Sequence, residues 1–170
     1  MENLNKYVLE KAVQNNICDE WAEKIQTADI RVLLDLYVKG IDFCLSNDFP
    51  NNKDIKRLFG DLINEYGIYL DASGEFTDRS FLVLLGQCTA DITCAGFTVS
   101  QVFIKHKSQC DIVVKDNSFV VIDCFDDTGV TVLVKDNAKA LINVYGKARL
   151  TSNSEGRGMV KVIHKHKKTY

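Results

Sequence analysis

From Gly86 the chain divides into tens without insertion or deletion: GQCTADITCA, GFTVSQVFIK, HKSQCDIVVK, DNSFVVIDCF, DDTGVTVLVK, DNAKALINVY, GKARLTSNSE and GRGMVKVIHK. The first position is Gly, Asp or His in every decad, and the third is always small: Cys88, Thr98, Ser108, Ser118, Thr128, Ala138, Ala148, Gly158. The fifth, seventh and ninth positions are mostly Val, Ile, Ala or Cys. Ser152, Ser154 and His164 are the polar members of the last two decads.

Apolar residues at alternate positions describe a strand with one buried face. The Gly, Asp and Asn residues at the first two positions are turn formers that tolerate positive φ. Likeness is strongest between decads twenty residues apart, as in KDNSFVVIDCF from Lys115 and KDNAKALINVY from Lys135. One coil is therefore expected to hold two decads, and eight decads make about four coils stacked roughly 4.8 Å apart. An antiparallel sandwich or meander is the alternative, since strands spaced by 8–12 residues also signal those folds. Hairpins tolerate varied loops, however, and seldom keep a small residue at the same corner through eight copies.

The first half reads as helical. Tyr7, Val8 and Leu9 in ENLNKYVLEKAVQ predict a first helix, and Cys18–Gln26, with Trp21 and Ile25 one turn apart, a second. After Thr27 as a possible cap and Asp29 in a first turn, Ile30, Leu33, Leu34, Tyr37, Ile41, Cys44 and Leu45 recur at helical spacing through Gly40. SNDFPNN breaks this run. Ile55, Leu58, Phe59, Leu62 and Tyr66 then form a further stripe, with Gly67 as its stop. The fold class expected is α+β: a helical domain at 1–67, linking or capping strands at 68–85, a β-solenoid at 86–165 and a basic tail at 166–170. The charged tail would discourage end-to-end stacking of the open last coil.

With 46% apolar and 26% charged residues, the composition is that of a soluble globular protein. No apolar run approaches the roughly 20 residues of a membrane helix. The opening MENLNKYVLEKAVQNN has no signal-peptide core, so a cytoplasmic protein is expected. On that basis Cys18, Cys44, Cys88, Cys94, Cys110 and Cys124 are expected to be reduced thiols. Residues 1–75 hold 8 Lys+Arg against 14 Asp+Glu, and residues 76–170 hold 13 against 9.

Catalytic patterns are sparse. GEFTDRS and GRGMVK lack the spacing of a phosphate loop. His106, His164 and His166 stand in no nucleophile motif, and Cys94 and Cys124 fall on the inward face, where a thiol is inert filler. His164 and His166 are too few to hold a metal, and lysines flank them. Asp116 and Asp136 are expected to stack at one corner and Asp126 at the other, as turn carboxylates. No catalytic residue, cofactor or metal is expected.

The outward positions suggest a binding surface. Phe103, Val121 and Leu141, with Phe119, Phe125 and Tyr145 at neighbouring corners, form a candidate apolar patch on alternate decads. Val113 and Leu133 are its sparser counterparts on the other decads. Either the helical half or another chain could cover this face. Lys161, Lys165, Lys167 and Lys168 are a weaker candidate for nucleic-acid contact, because no aromatic residues interleave them and the other half of the chain is acidic.

The run GIDFCLSNDFPNNKDIKRLF, then YGIYLD, then the decads ending in KKTY resembles uncharacterised proteins of phages and prophages with a helical start and a repetitive β C-terminus. That resemblance implies a phage-linked context, hence host cytoplasm, and supplies no catalytic residues. The expected function is non-enzymatic: a binding or scaffold protein acting on a host or phage protein through the solenoid face. A homo-oligomer is the expected form. The alternative is a nucleic-acid-associated protein using the basic tail, although neither nucleic acid nor membrane is the expected partner.

Overall fold

A computed structural model describes residues 4–170. The chain forms two compact units, a helical one ending at Tyr66 and a β unit spanning Gly67–Thr169. Glu2 and Asn3, at the start of the first expected helix, lie outside the described residues.

The helical unit contains α1 (Leu4–Gln14), α2 (Asp19–Thr27), α3 (Ile30–Lys39), α4 (Ile41–Asn47), α5 (Asn52–Leu58) and a 3-10 turn over Gly60–Tyr66. Asp29, rather than Thr27, caps α3. Its carboxylate accepts from the Arg31 and Val32 amides, both at 2.9 Å, offsetting two of the open amides of a first helical turn. The single helix expected through Gly40 is two helices. A Cβ at Gly40 would lie 3.2 Å from both the Leu36 carbonyl and the Trp21 ring, so the bare backbone lets the indole pack directly against the junction. The last helix is likewise divided, because Gly60 takes φ +52°.

Inside this unit Val8, Ile25, Leu34, Leu45, Ile55 and Phe59 are buried. Asp54 is the buried carboxylate that joins two helices. It accepts from the Tyr7 hydroxyl at 2.7 Å, the Asn51 amide nitrogen at 2.8 Å and the Arg57 guanidinium at 3.2 Å. A carboxylate withdrawn from water needs such partners.

The β unit is a solenoid of parallel strands: β1 (Ile68–Leu70), β2 (Ser73–Thr77), β3 (Phe81–Leu85), β4 (Thr89–Cys94), β5 (Val99–Ile104), β6 (Gln109–Val114), β7 (Phe119–Cys124), β8 (Gly129–Val134), β9 (Lys139–Val144), β10 (Arg149–Ser154) and β11 (Met159–His164). Odd-numbered strands form sheet A in the order β1-β3-β5-β7-β9-β11, and even-numbered strands form sheet B in the order β10-β8-β6-β4-β2. Every pairing is parallel, which excludes the antiparallel alternative. From β3 onward in sheet A and β4 onward in sheet B the partners lie twenty residues apart, as in Ile122 with Ile142 and Ile112 with Val132.

The ladder begins before the decads do, so it has about five coils rather than four. Ile68 pairs with Val83 and Ser73 with Thr89, offsets of fifteen and sixteen residues. This first coil is too short to share the period of ten. Gly67 allows its tight entry. It takes φ +73°, and a Cβ there would meet the Phe81 carbonyl at 2.6 Å.

Inward residues of both sheets meet in one core. Ile92, Ile112 and Val132 from sheet B face the same interior as Val102, Ile122 and Ile142 from sheet A, and all are at most 3% exposed. At the last coil this interior becomes partly polar: Leu150, Val160 and Val162 still pack on the core, whereas Ser152 is half-buried and Ser154 and His164 are exposed.

The repeated corner residues have a defined task. Asp116, Asp126, Asp136 and His106 all take positive φ. Each side chain accepts from the backbone amide one coil earlier. Asp116 receives the Gly96 amide at 2.8 Å, Asp136 that of Asp116 at 3.0 Å, Asp126 that of His106 at 3.1 Å, and His106 Nδ1 that of Gly86 at 3.0 Å. A left-handed turn leaves this amide outside the sheet ladder, and the carboxylate satisfies it. The third-position residue at one corner bonds back to a carbonyl in its own turn. The Ser108 hydroxyl donates to the Lys105 carbonyl at 3.1 Å and that of Thr128 to the Phe125 carbonyl at 2.8 Å.

Candidate functional site

Along the outward face of sheet A, residues one coil apart lie side by side. One register row runs Val99, Phe119, Lys139, Met159 and the next Gln101, Val121, Leu141, Lys161. Val99 is 66% exposed and Phe119 39%, while Val121 and Leu141 are half-buried. Phe97, in the turn before β5, is 85% exposed. These residues form an apolar margin at the edge of sheet A where its strands begin, with Gln101, Lys139 and Lys161 beside it.

Of the six residues the alternation nominates, this margin retains Phe119, Val121 and Leu141. Phe103, Phe125 and Tyr145 are withdrawn from solvent, at 1%, 0% and 3% exposure. Superposition along the stack contributes to that burial. The rings of Phe125 and Tyr145, one coil apart, stack at 4.6 Å with an interplanar angle of 19°, and Lys105 Nζ sits 5.7 Å from the Phe125 ring centre. Phe103 packs its ring 5.6 Å from that of Phe81. In the same row as Phe103, buried Asp123 accepts from the Asn143 side-chain amide at 2.5 Å. Lys105, itself buried, reaches the Asp126 carboxylate at 3.1 Å.

Phe97 and Val99 carried a signal in the sequence. At the second decad position the other seven copies hold Gln87, Lys107, Asn117, Asp127, Asn137, Lys147 and Arg157. Phe97 is the one apolar residue there. At the fourth position Val99, Phe119 and Met159 occur only on decads whose strands belong to sheet A. Following fixed columns through the repeat, rather than alternation within each strand, finds them.

Sheet B turns a polar face outward. Thr89, Asp91, Gln109, Asp111, Thr131 and Arg149 line a shallow hollow of about 330 Å³. Gly129 leaves room in it, and the Gln109 side chain folds across that glycine so closely that a Cβ would clash. Val113 and Leu133 are half-buried at its border.

At the far end of the solenoid Lys161, Lys167 and Lys168 are exposed and Lys165 is half-buried. The Gly146 amide donates to the Lys167 carbonyl at 2.9 Å, so the backbone is tied to the stack at that residue. Among the described residues no helix is long and apolar enough to cross a membrane. Comparison with known protein families, with curated proteins and with solved structures returned no match to this chain.

Proposed function

We propose that this chain is a non-enzymatic binding or scaffold protein, phage-encoded and acting in the host cytoplasm, that presents the apolar margin of sheet A to another protein or to a second copy of itself. The observation that carries this reading is the pairing of Val99 with Phe119 on a parallel sheet, with Phe97 in the turn before β5, all exposed, and Val121 and Leu141 in the next register row. Large apolar side chains grouped on a regular surface are characteristic of interfaces. A sheet of fixed register holds them in place with little ordering cost on association.

Light scattering across a concentration series tests self-association, and capture from host lysate at high salt tests a foreign partner. The wild-type chain is expected to associate in one of the two. Phe97→Ser with Phe119→Asp, and separately Val121→Asp with Leu141→Asp, are expected to abolish that association. A wild-type chain that stays monomeric and retains nothing would defeat the proposal. Retention that vanishes with salt and with removal of Lys165, Lys167 and Lys168 would instead favour the nucleic-acid reading, because phosphate contacts weaken steeply with ionic strength.

A further inference from the structure

The margin of sheet A has an order that its apolar content alone does not describe. Three outward columns cross it, with one residue from each coil. The corner column runs Phe97, Asn117, Asn137, Arg157, and the Asn117, Asn137 and Arg157 amides hold it in step, each donating to a carbonyl of the coil before at 2.8 or 2.9 Å. The two strand columns run Val99, Phe119, Lys139, Met159 and Gln101, Val121, Leu141, Lys161. All of these are exposed except Val121 and Leu141, which are half-buried. The exposed rings lie on the first two of these coils and the cations on the last two.

Reversing this pattern about a line between β7 and β9 matches it to its own complement. Val99 then falls on Met159 and Val121 on Leu141, apolar on apolar. Phe119 falls on Lys139 and Phe97 on Arg157, a ring facing a cation in each case. Asn117 meets Asn137, and Gln101 meets Lys161. No position meets a like charge. Turning the pattern about the stack axis instead lays each row on itself, which sets Lys139 against Lys139 and Arg157 beside Lys161. An isologous interface requires the first kind of arrangement, because residue i touches j wherever j touches i. A foreign partner imposes no such relation between the two ends of a face.

We infer that the occupant of this margin is a second copy of the chain, packed face to face through a twofold axis that runs along the strands between β7 and β9. Two sheets A then meet with their stacks antiparallel. This inference rests on the reading of the margin as an interface and names its partner. The footprint, four strands by five residues, is roughly 20 Å by 15 Å. That is small beside a standard interface of about 800 Å² per partner, so the dimer is weak and its population follows concentration. Phe119→Asp loses its ring here in return for an exposed ion pair with Lys139, which is worth less than the apolar burial it replaces.

Gln101 and Lys161 supply the test. Within one chain they lie three coils apart, about 14 Å along the stack, and only across the axis are they neighbours. Sedimentation velocity of the purified chain over a concentration series is expected to show monomer and dimer in equilibrium. Gln101→Lys is expected to weaken the dimer about 2- to 30-fold, the range for two exposed charge contacts, and Gln101→Glu to tighten it by a similar factor. Adding Lys161→Glu to Gln101→Lys is expected to restore the dimer, because the facing charges are then opposite. Both positions are exposed, so far-ultraviolet circular dichroism is expected to be unchanged throughout. A chain that stays monomeric while its margin still captures a host protein would overturn the inference and leave the reading beneath it intact. A chain that neither dimerises nor captures anything defeats both. A dimer that ignores Gln101→Lys, or that Lys161→Glu fails to restore, would overturn the twofold pairing.

Discussion

Sheets A and B of the solenoid share one interior and diverge outside it. Inward, Ile92, Ile112 and Val132 of one sheet face Val102, Ile122 and Ile142 of the other, with similar volume and burial. Outward, sheet B carries Asp91, Asp111, Thr131 and Thr151 where sheet A carries Gln101, Val121, Leu141 and Lys161. The inward columns answer to packing alone, which both sheets need equally. The outward columns are free of that demand, so their difference records what each face meets. An apolar column kept outside against the solvation it sacrifices is the stronger indication of a partner.

Equal interiors predict equal damage. Ile112→Ala in sheet B and Ile122→Ala in sheet A are each expected to cost about 2–5 kcal/mol, the range for emptying a fully buried branched side chain. Denaturant midpoints measure this. A large disparity between the two would break the symmetry argued above.

Next come the corners. Asp116→Ala removes the acceptor of the Gly96 amide and places a Cβ residue without a side-chain partner at φ +59°. A loss of about 2–3 kcal/mol is expected from the two effects together. Asp111→Ala, on the outer face of sheet B, should stay within about 0.5 kcal/mol. Asp116→Gly separates the parts, because glycine restores the backbone freedom and not the carboxylate. Equal costs for Asp116 and Asp111 would mean that the corner carboxylates are ordinary surface charges.

Each sheet also buries a thiol whose titration is displaced. Burial, reinforced by nearby Cys88 and Asp111, pushes Cys110 up to about 12, and burial with nearby Asp123 does the same for Cys124. Both folded values lie above the unfolded one near 9.0, so the folded state holds protons that the unfolded chain releases. Their contribution is intact below pH 9 and declines as pH rises from there through 12. Cys110→Ala and Cys124→Val should each flatten the alkaline fall of the unfolding midpoint by a similar amount. Unchanged alkaline curves in both variants would refute this. Cys18, the one exposed cysteine among the six, should be alkylated under native conditions well ahead of the other five.

The smallest effects distinguish the two corners and the two outer faces. Ser108→Ala should lose about 1 kcal/mol with its bond to Lys105, whereas Ser118, whose buried hydroxyl has no partner among the described residues, should tolerate alanine or gain slightly. Alanine already serves at the equivalent corner in Ala138, which is fully buried. Phe119→Asp should change stability by no more than about 1 kcal/mol while removing association. A large stability loss there would recast the margin as packing rather than interface.

Much of this was legible from residue order. Strict decads fixed the coil length and the inward columns, because a parallel stack repeats only if every coil has the same residue count. The strands expected at 68–85 are there, but the period of ten does not count them as a coil, because Ile68 and Ser73 meet partners fifteen and sixteen residues on. The breaks at Gly40 and Gly60 were hidden because an apolar stripe continues across a kink. Alternation places Phe103, Phe125 and Tyr145 at the surface because it reports only which side of its own sheet a residue takes. It says nothing of what else lies over that side.

The corner hydrogen bonds give the stack a direction. At four successive corners the amides of Gly86, Gly96, His106 and Asp116 are each satisfied by a side chain twenty residues later, so these corners are completed by the next coil. While these corners emerge from a ribosome, the newest of them stays unfinished until the side chain twenty residues later follows it, and the defect moves forward with synthesis. The same asymmetry separates the two ways of shortening the protein. Cutting back from the C-terminal side past Asp126 or Asp136 uncovers the His106 and Asp116 amides, whereas cutting within the repeat from the other side leaves carboxylates that water can satisfy.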